Sequence, residues 1–166
     1  MTKAEAIYAK YERFEEQLAH CYFLLHERFI SNPPLAKFWA EAAMDELQHF
    51  SILRYCREHK VMSEIEPDVK TTRNLEELLE TVKGLVADPN ISIEEAFYAS
   101  LLIESSELDE IYQGLTEGLE ADHPLLYQAV RANLQSHHRV FEGGAEQFSR
   151  DRGFVEAFRN MGRSVT

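Results

Sequence analysis

Apolar residues return every three or four positions along most of this chain, the spacing that gathers one face of an α-helix. Ile7, Tyr11, Phe14, Leu18, Tyr22, Leu25 and Phe29 mark a first helix over about residues 3–31, and Asn32-Pro33-Pro34 ends it and opens the next. Leu35, Phe38, Trp39, Ala42, Leu53 and Cys56 form the stripe of a second helix over roughly 35–60. A polar stretch from Ser63 to Arg73 follows, then a short helix near 75–87 opened by Asn74 and Glu77 at capping-box spacing. Asp88-Pro89-Asn90 stops that piece. Ser92 and Glu95 make a second capping box, and Ile93, Phe97, Ser100, Leu108, Ile111 and Leu115 carry one stripe to about residue 119. After the break at Asp122-His123-Pro124, Leu126, Val130, Leu134, Phe141 and Phe148 trace a fourth long helix over about 124–149. A short C-terminal helix is expected after Arg152-Gly153. No alternating apolar run with hairpin residues interrupts this pattern, so the chain reads as all-α, a single domain over residues 1–166.

The links decide between topologies. Short ones join the first helix to the second and the third to the fourth, whereas about 30 residues with a helix of their own join the second to the third. A link of that length lets the chain cross a bundle from end to end. The expected architecture is therefore a ferritin-like four-helix bundle with one long crossover between helices two and three.

Several residues inside the apolar stripes do not belong in an ordinary core. Glu46 and His49, three apart, share the inner face of the second helix. Buried without partners they would cost several kcal/mol, so a metal ion or a closed hydrogen-bond network is needed. The first helix adds Glu15, roughly 50° from its stripe centre, while Glu16 lies roughly 150° away. The third adds Glu104 near its stripe centre and Glu107 on the flank. The fourth adds His137, about 35° off centre, in preference to His138, about 65° off on the other side. An inward carboxylate or imidazole on each of four helices is the ligand set of a metal site between them. The competing reading is a polar core closed by hydrogen bonds alone. His20, His26, His59 and His123 have no partner at ligand spacing and are expected at the surface.

Charge removes other function classes. The formal net charge is −12, from 17 basic and 29 acidic residues, which argues against nucleic acid or an anionic membrane as partner. Cys21 and Cys56 lie in predicted helices with no Cys-x-x-Cys arrangement, so neither a disulfide framework nor a zinc ribbon is indicated, and a reducing cytoplasm is the default. The N-terminus has no apolar signal region, and no run reaches the roughly 20 apolar residues of a membrane span.

Three segments resemble the rubrerythrin-like branch of the ferritin-like superfamily. Glu15-Glu-Gln-Leu-Ala-His-Cys-Tyr22 is similar to its first-helix glutamate followed seven residues later by tyrosine. Glu46-Leu-Gln-His49 is similar to its Glu-x-x-His on helix two. Glu104-Ser-Ser-Glu107-Leu-Asp-Glu-Ile-Tyr112 is similar to its helix-three glutamate pair with a tyrosine five residues after the second. The likeness spans about residues 10–150 in helix order and spacing. It departs on the fourth helix, where the family's second Glu-x-x-His is met by Leu134 with His137 or by Gln135 with His138; stripe geometry favours the first register.

The resemblance implies a metal centre held by Glu15, Glu46, His49, Glu104 and His137, with Glu107 as a variable ligand. It further implies one or two iron ions, with manganese or zinc as alternatives that the same oxygen and imidazole donors suit. The implied reaction is reduction of hydrogen peroxide or oxidation of ferrous iron by O₂, with Tyr22 and Tyr112 as hydrogen-bond donors beside the ligands. The rubredoxin domain of rubrerythrin has no counterpart in these residues, so electrons are expected from a separate protein or a small reductant. A second copy of the chain is an expected partner. The alternative is a non-catalytic metal-binding or interaction module whose helix-four site is degenerate.

Overall fold

A computed structural model describes residues 2–61, 69–107, 119–120 and 122–164. Its helices are α1 (Lys3–Arg28), α2 (Pro33–Glu58), α3 (Val69–Ala87), α4 (Ile93–Glu107), α5 (Pro124–Phe148) and α6 (Arg152–Ser164). The protein is all-helical, and the described residues include no strand. Among them no helix is long and apolar enough to cross a membrane.

Local chemistry sets most helix ends. At the start of α1, Glu5 N donates to Thr2 Oγ1 at 3.2 Å and Thr2 N donates to Glu5 Oε2 at 2.7 Å, a reciprocal cap that satisfies two otherwise orphaned donors. Ser92 and Glu95 form the expected box ahead of α4, at 2.8 and 3.2 Å. Pro33 and Pro34 occupy the first turn of α2, where a missing N–H leaves no bond unmade. Expectation and structure differ at α3. It begins at Val69, so Asn74 lies inside the helix rather than capping it. A side-chain cap is worth about 1 kcal/mol, less than the backbone bonds gained by continuing the helix through it. The predicted stripe residues Leu108, Ile111 and Leu115 lie outside the described residues.

Pairs of touching residues give the helix directions. His26 with Ala36, Glu15 with His49 and Glu12 with Arg57 make α2 antiparallel to α1. Lys10 with Glu76 and Gln17 with Lys83 make α3 parallel to α1, carrying the chain back to the end where α2 began. Phe38 and Trp39 pack on Phe97 at one end of α4, and Glu46 approaches Glu104 at the other, so α2 and α4 run parallel. Glu104 with His137 and Glu94 with Arg150 set α5 antiparallel to α4, and α6 folds back along α5 through Phe141 with Phe158.

The interior has an aromatic layer. Tyr22, Phe38, Trp39, Phe97, Phe141 and Phe158 come from five helices, with neighbouring ring centroids 4.7–6.5 Å apart, in tilted, edge-on and stacked pairs. Gly144 of α5 makes this close packing feasible. A Cβ there would lie 2.3 Å from Phe38 Cε2, inside the ring's van der Waals envelope.

Candidate metal centre

A little farther along the same helices the interior becomes polar. Glu15 of α1, Glu46 and His49 of α2, Glu104 of α4 and His137 of α5 converge there, each at most 1 % exposed. The stripe arithmetic explains this placement, since each helix that buries its apolar face buries these residues with it. The sequence-predicted Glu107 belongs to α4, but its side chain lies outside the described residues, as does the whole of Tyr112.

The donors fall into two triads that share a residue. Glu15, Glu46 and His49 bring one ligand atom each within 4.8 Å of one another, and so do Glu46, Glu104 and His137. In the first, His49 Nδ1 is 2.9 Å from Glu46 Oε2 and 3.9 Å from Glu15 Oε2. In the second, His137 Nε2 is 2.8 Å from Glu104 Oε2 and 3.5 Å from Glu46 Oε1. The two imidazole rings are 5.0 Å apart, centroid to centroid.

Neighbours outside the triads fix the donors. Tyr22 O–H donates to Glu104 Oε1 at 2.9 Å, leaving Oε2 to face His137. His49 Nε2 donates to Asn133 Oδ1 at 2.9 Å, which turns the Nδ1 lone pair toward Glu46 and Glu15. His137 Nδ1 stands 3.3 Å from Asp45 Oδ2, which turns its Nε2 inward in the same manner. Sequence periodicity missed both Asn133 and Asp45. Asn133 had a signal, because it precedes His137 by four residues and so shares its face of α5. Asp45 had none beyond its place next to Glu46.

Burial and mutual charge set the protonation. Burial, reinforced by Glu104 and Asp45 and opposed by His137, pushes the Glu46 carboxyl up to about 8. Burial likewise holds His49 below its ordinary value. A neutral Glu46 can thus donate its proton to the bare Nδ1 of a neutral His49. At the other triad burial works against charge on His137, but Glu104 and Glu46 outweigh it and raise the imidazole well above its ordinary value. The same exchange holds Glu104 low in spite of its burial. Protons therefore occupy the positions where positive charge is needed.

They do so incompletely. Glu46 Oε1, Glu104 Oε2 and His137 Nε2 are fully buried, and among the described residues none of the three has a hydrogen bond in acceptable geometry. The 2.8 Å contact of Glu104 with His137 is a close ion pair that helps to hold the carboxyl low and the imidazole high, although its angle falls short of a well-formed hydrogen bond. Buried polar atoms seldom stay unsatisfied, and a bound cation is one way to satisfy all three together.

The other histidines separate by burial. His20, His59 and His123 are exposed. His26, expected at the surface, is half-buried instead, because its Nδ1 bonds the Ala36 carbonyl oxygen at 2.9 Å near the α1–α2 link. His138 is buried on the side of α5 turned toward α6, its ring centroid 6.1 Å from that of His137, and joins neither triad. Leu134 is buried in the core and offers no donor.

No family model, curated protein or solved structure matches this chain.

Proposed function

We propose that the protein is a rubrerythrin-like, metal-binding member of the ferritin-like superfamily and an oxidoreductase acting on hydrogen peroxide or on ferrous iron with O₂. The observation that carries this reading is the pair of buried triads sharing Glu46. Two sites with one common carboxylate suit two divalent ions, whose repulsion a shared anion offsets. The helix directions also support it. With α1 and α5 running one way, α2 and α4 the other, and α3 between α2 and α4, the helix directions are those that a ferritin-like bundle with one long crossover requires.

The donor set fits iron, with manganese or zinc as alternatives, because hard carboxylate oxygens and two imidazoles favour those ions over copper or an iron–sulfur cluster. Glu15, Glu46, His49, Glu104 and His137 would hold the metal. Iron bound there would supply electron exchange with peroxide or O₂. The chain's own contribution is positioning. Tyr22 fixes Glu104, Asn133 and Asp45 fix the two imidazoles, and the aromatic layer keeps water from the inner side. The raised carboxyl of Glu46 makes it the group that releases a proton when a cation enters. Electrons would come from a separate protein or a small reductant.

Metal analysis after loading with Fe(II), Mn(II) or Zn(II) tests the site. The expected content is one to two equivalents, and a Glu46→Ala, His49→Ala variant should lose it. Less than about half an equivalent in the unaltered protein would refute the reading. A second reading, a metal-binding module without catalysis, has its own support in Leu134, which stands one helical turn before His137 where the family carries a carboxylate. Peroxide consumption by iron-loaded protein with a chemical reductant separates the two.

A further inference from the structure

Each of the five residues that converge at the metal centre is at most 1 % exposed, so a cation has to pass some wall of the bundle to reach them. Several walls are closed. Tyr11 and Leu18 flank Glu15 on α1, Ser100 and Ile103 flank Glu104 on α4, and all four are buried. On the aromatic side stand Tyr22, bonded to Glu104, and Phe141, whose ring centroid is 5.0 Å from that of His137.

The seam between α2 and α5 differs. Asp45, its side chain 32 % exposed, reaches across it to stand 3.3 Å from His137 Nδ1. Asn133, also part-exposed, meets His49 Nε2 from the α5 side. Of the residues bonded to the candidate ligands, Tyr22 is fully buried, whereas Asp45 and Asn133 meet solvent. Orienting an imidazole does not require a charge, since Asn133 does it for His49 with a neutral amide. Positioning therefore leaves the negative charge of Asp45, and its place at the surface, unexplained.

We propose that Asp45 is the port of the metal centre, a carboxylate that captures a divalent cation at the α2–α5 seam and passes it inward beside His137. This rests on the metal-binding reading above. A carboxylate at the mouth of a closed site raises the local cation concentration and the rate of capture, an effect that salt weakens. His137 spans the remaining distance. Its Nδ1 faces Asp45, and its Nε2 lies 2.8 Å from Glu104 and 3.5 Å from Glu46, so the ring links the port to the carboxylate that both triads share. Glu41, one turn earlier on α2, is exposed as well, but it pairs with Lys37 at 2.7 Å and belongs to neither triad.

Rapid mixing of metal-free protein with Co(II), a coloured stand-in for Fe(II), measures loading through the absorbance of the bound ion. Loading of the unaltered protein should slow as salt rises from about 20 to about 200 mM. Asp45→Asn keeps an oxygen to accept from His137, and it should load about five- to tenfold more slowly at low salt, with a weaker salt dependence. Asp45→Glu, which restores the charge, should recover the salt-dependent rate, and Glu41→Gln should load as the unaltered protein does. A residue that only orients His137 would alter the final Co(II) content or the spectrum of the bound ion and leave the salt dependence as it was. That outcome would overturn the port, as would an unaltered loading rate in Asp45→Asn or an equal slowing in Glu41→Gln, which would make overall charge the cause. Failure of the unaltered protein to bind Co(II) would overturn the metal centre and the port together, whereas full binding with any of the preceding outcomes overturns the port alone.

Discussion

Phe38 and Glu46 stand on the same face of α2, about 12 Å apart at 1.5 Å per residue, yet their surroundings differ in kind. Around Phe38 the rings of Trp39, Phe97 and Phe141 interdigitate, and even a glycine Cα–H on α5 is needed to let them meet. Around Glu46, two carboxylates and two imidazoles approach closely, but three of the buried donor atoms lack a well-formed hydrogen bond among the described residues. The aromatic layer is closed by ring packing, whereas the polar layer presents buried donors that could hold a metal ion. The first holds the helices at fixed spacing; the second uses that spacing to keep its donors converged.

Truncation in the aromatic layer should give the largest loss. Trp39 is fully buried and touches Tyr22, Phe38 and Phe97, so Trp39→Ala removes a large apolar volume from a site with no room to collapse. A cost of about 3–5 kcal/mol is expected in denaturant unfolding. Because Tyr22 links this layer to Glu104, metal affinity should fall as well. Unchanged affinity in a folded Trp39→Ala protein would show that the two layers are not mechanically coupled.

The polar layer should respond in opposite directions with and without metal. Metal at about a thousand times its dissociation constant should raise unfolding stability by about 4 kcal/mol, an increment that a chelator removes. In the metal-free protein, Glu46→Leu replaces an uncharged buried acid with a hydrocarbon and leaves the Glu104–His137 attraction in place. Its stability should nevertheless fall by about 1–3 kcal/mol, because the buried Nδ1 of His49 loses the donor 2.9 Å away, and the metal increment should vanish as well. The pH dependence carries the opposition. Glu46 is raised to about 8 in the folded state, so its contribution to metal-free stability is full below its ordinary unfolded value and is lost as pH rises through about 8. His137, also raised, acts with the same sign. Metal affinity should climb over that interval as the competing protons leave. Falling affinity between pH 6 and about 8 would contradict this account of the ligands.

These two layers were also unequally legible in the sequence. Heptad-like spacing located the long helices and placed Glu15, Glu46, His49, Glu104 and His137 on inner faces, because burial of an apolar stripe carries every residue on that stripe inward. What periodicity could not give was the partner of each group. Asp45 is part-exposed and reaches His137 only because α5 crosses α2 at that height, a tertiary fact with no local signature. Asn74 failed as a helix start for the opposite reason. A capping pattern is a local preference, and the helix continued through it. The Glu107 and Tyr112 expectations fall outside the described residues and rest on sequence alone.

Gly144 tests how tightly the aromatic layer is filled. Gly144→Ala places a methyl group 2.3 Å from Phe38 Cε2, and Phe38 cannot move freely because Trp39, Phe97 and Phe141 hold its ring. A loss of about 1–3 kcal/mol is expected from overpacking, despite the gain in helix propensity from replacing a mid-helix glycine. Gly143→Ala is the control. Its Cβ would meet nothing within 4 Å, so it should leave stability level or slightly higher. Equal effects at the two neighbouring positions would mean that the layer is looser than its ring distances imply.

The smallest effect should be seen in the cysteines, which report on opening rather than on either layer's own energy. Cys21 and Cys56 are buried in α1 and α2, and burial pushes both thiols up to about 11, with Lys83 pulling slightly the other way at Cys21. The reactive thiolate is thus scarce at pH 8, and a reagent can reach either sulfur only when the α1–α2 pair opens. If both thiols wait for the same opening, iodoacetamide should alkylate them at similar rates, and metal loading should slow both by one common factor. Cys21 precedes Tyr22, whose hydroxyl holds Glu104, while Cys56 lies two turns beyond His49, so a local opening at either end would slow one and spare the other. Mass spectrometric rates with and without metal distinguish these outcomes. Equal slowing would make the metal centre and the aromatic layer one cooperative unit, and unequal slowing would place the boundary between them along α2.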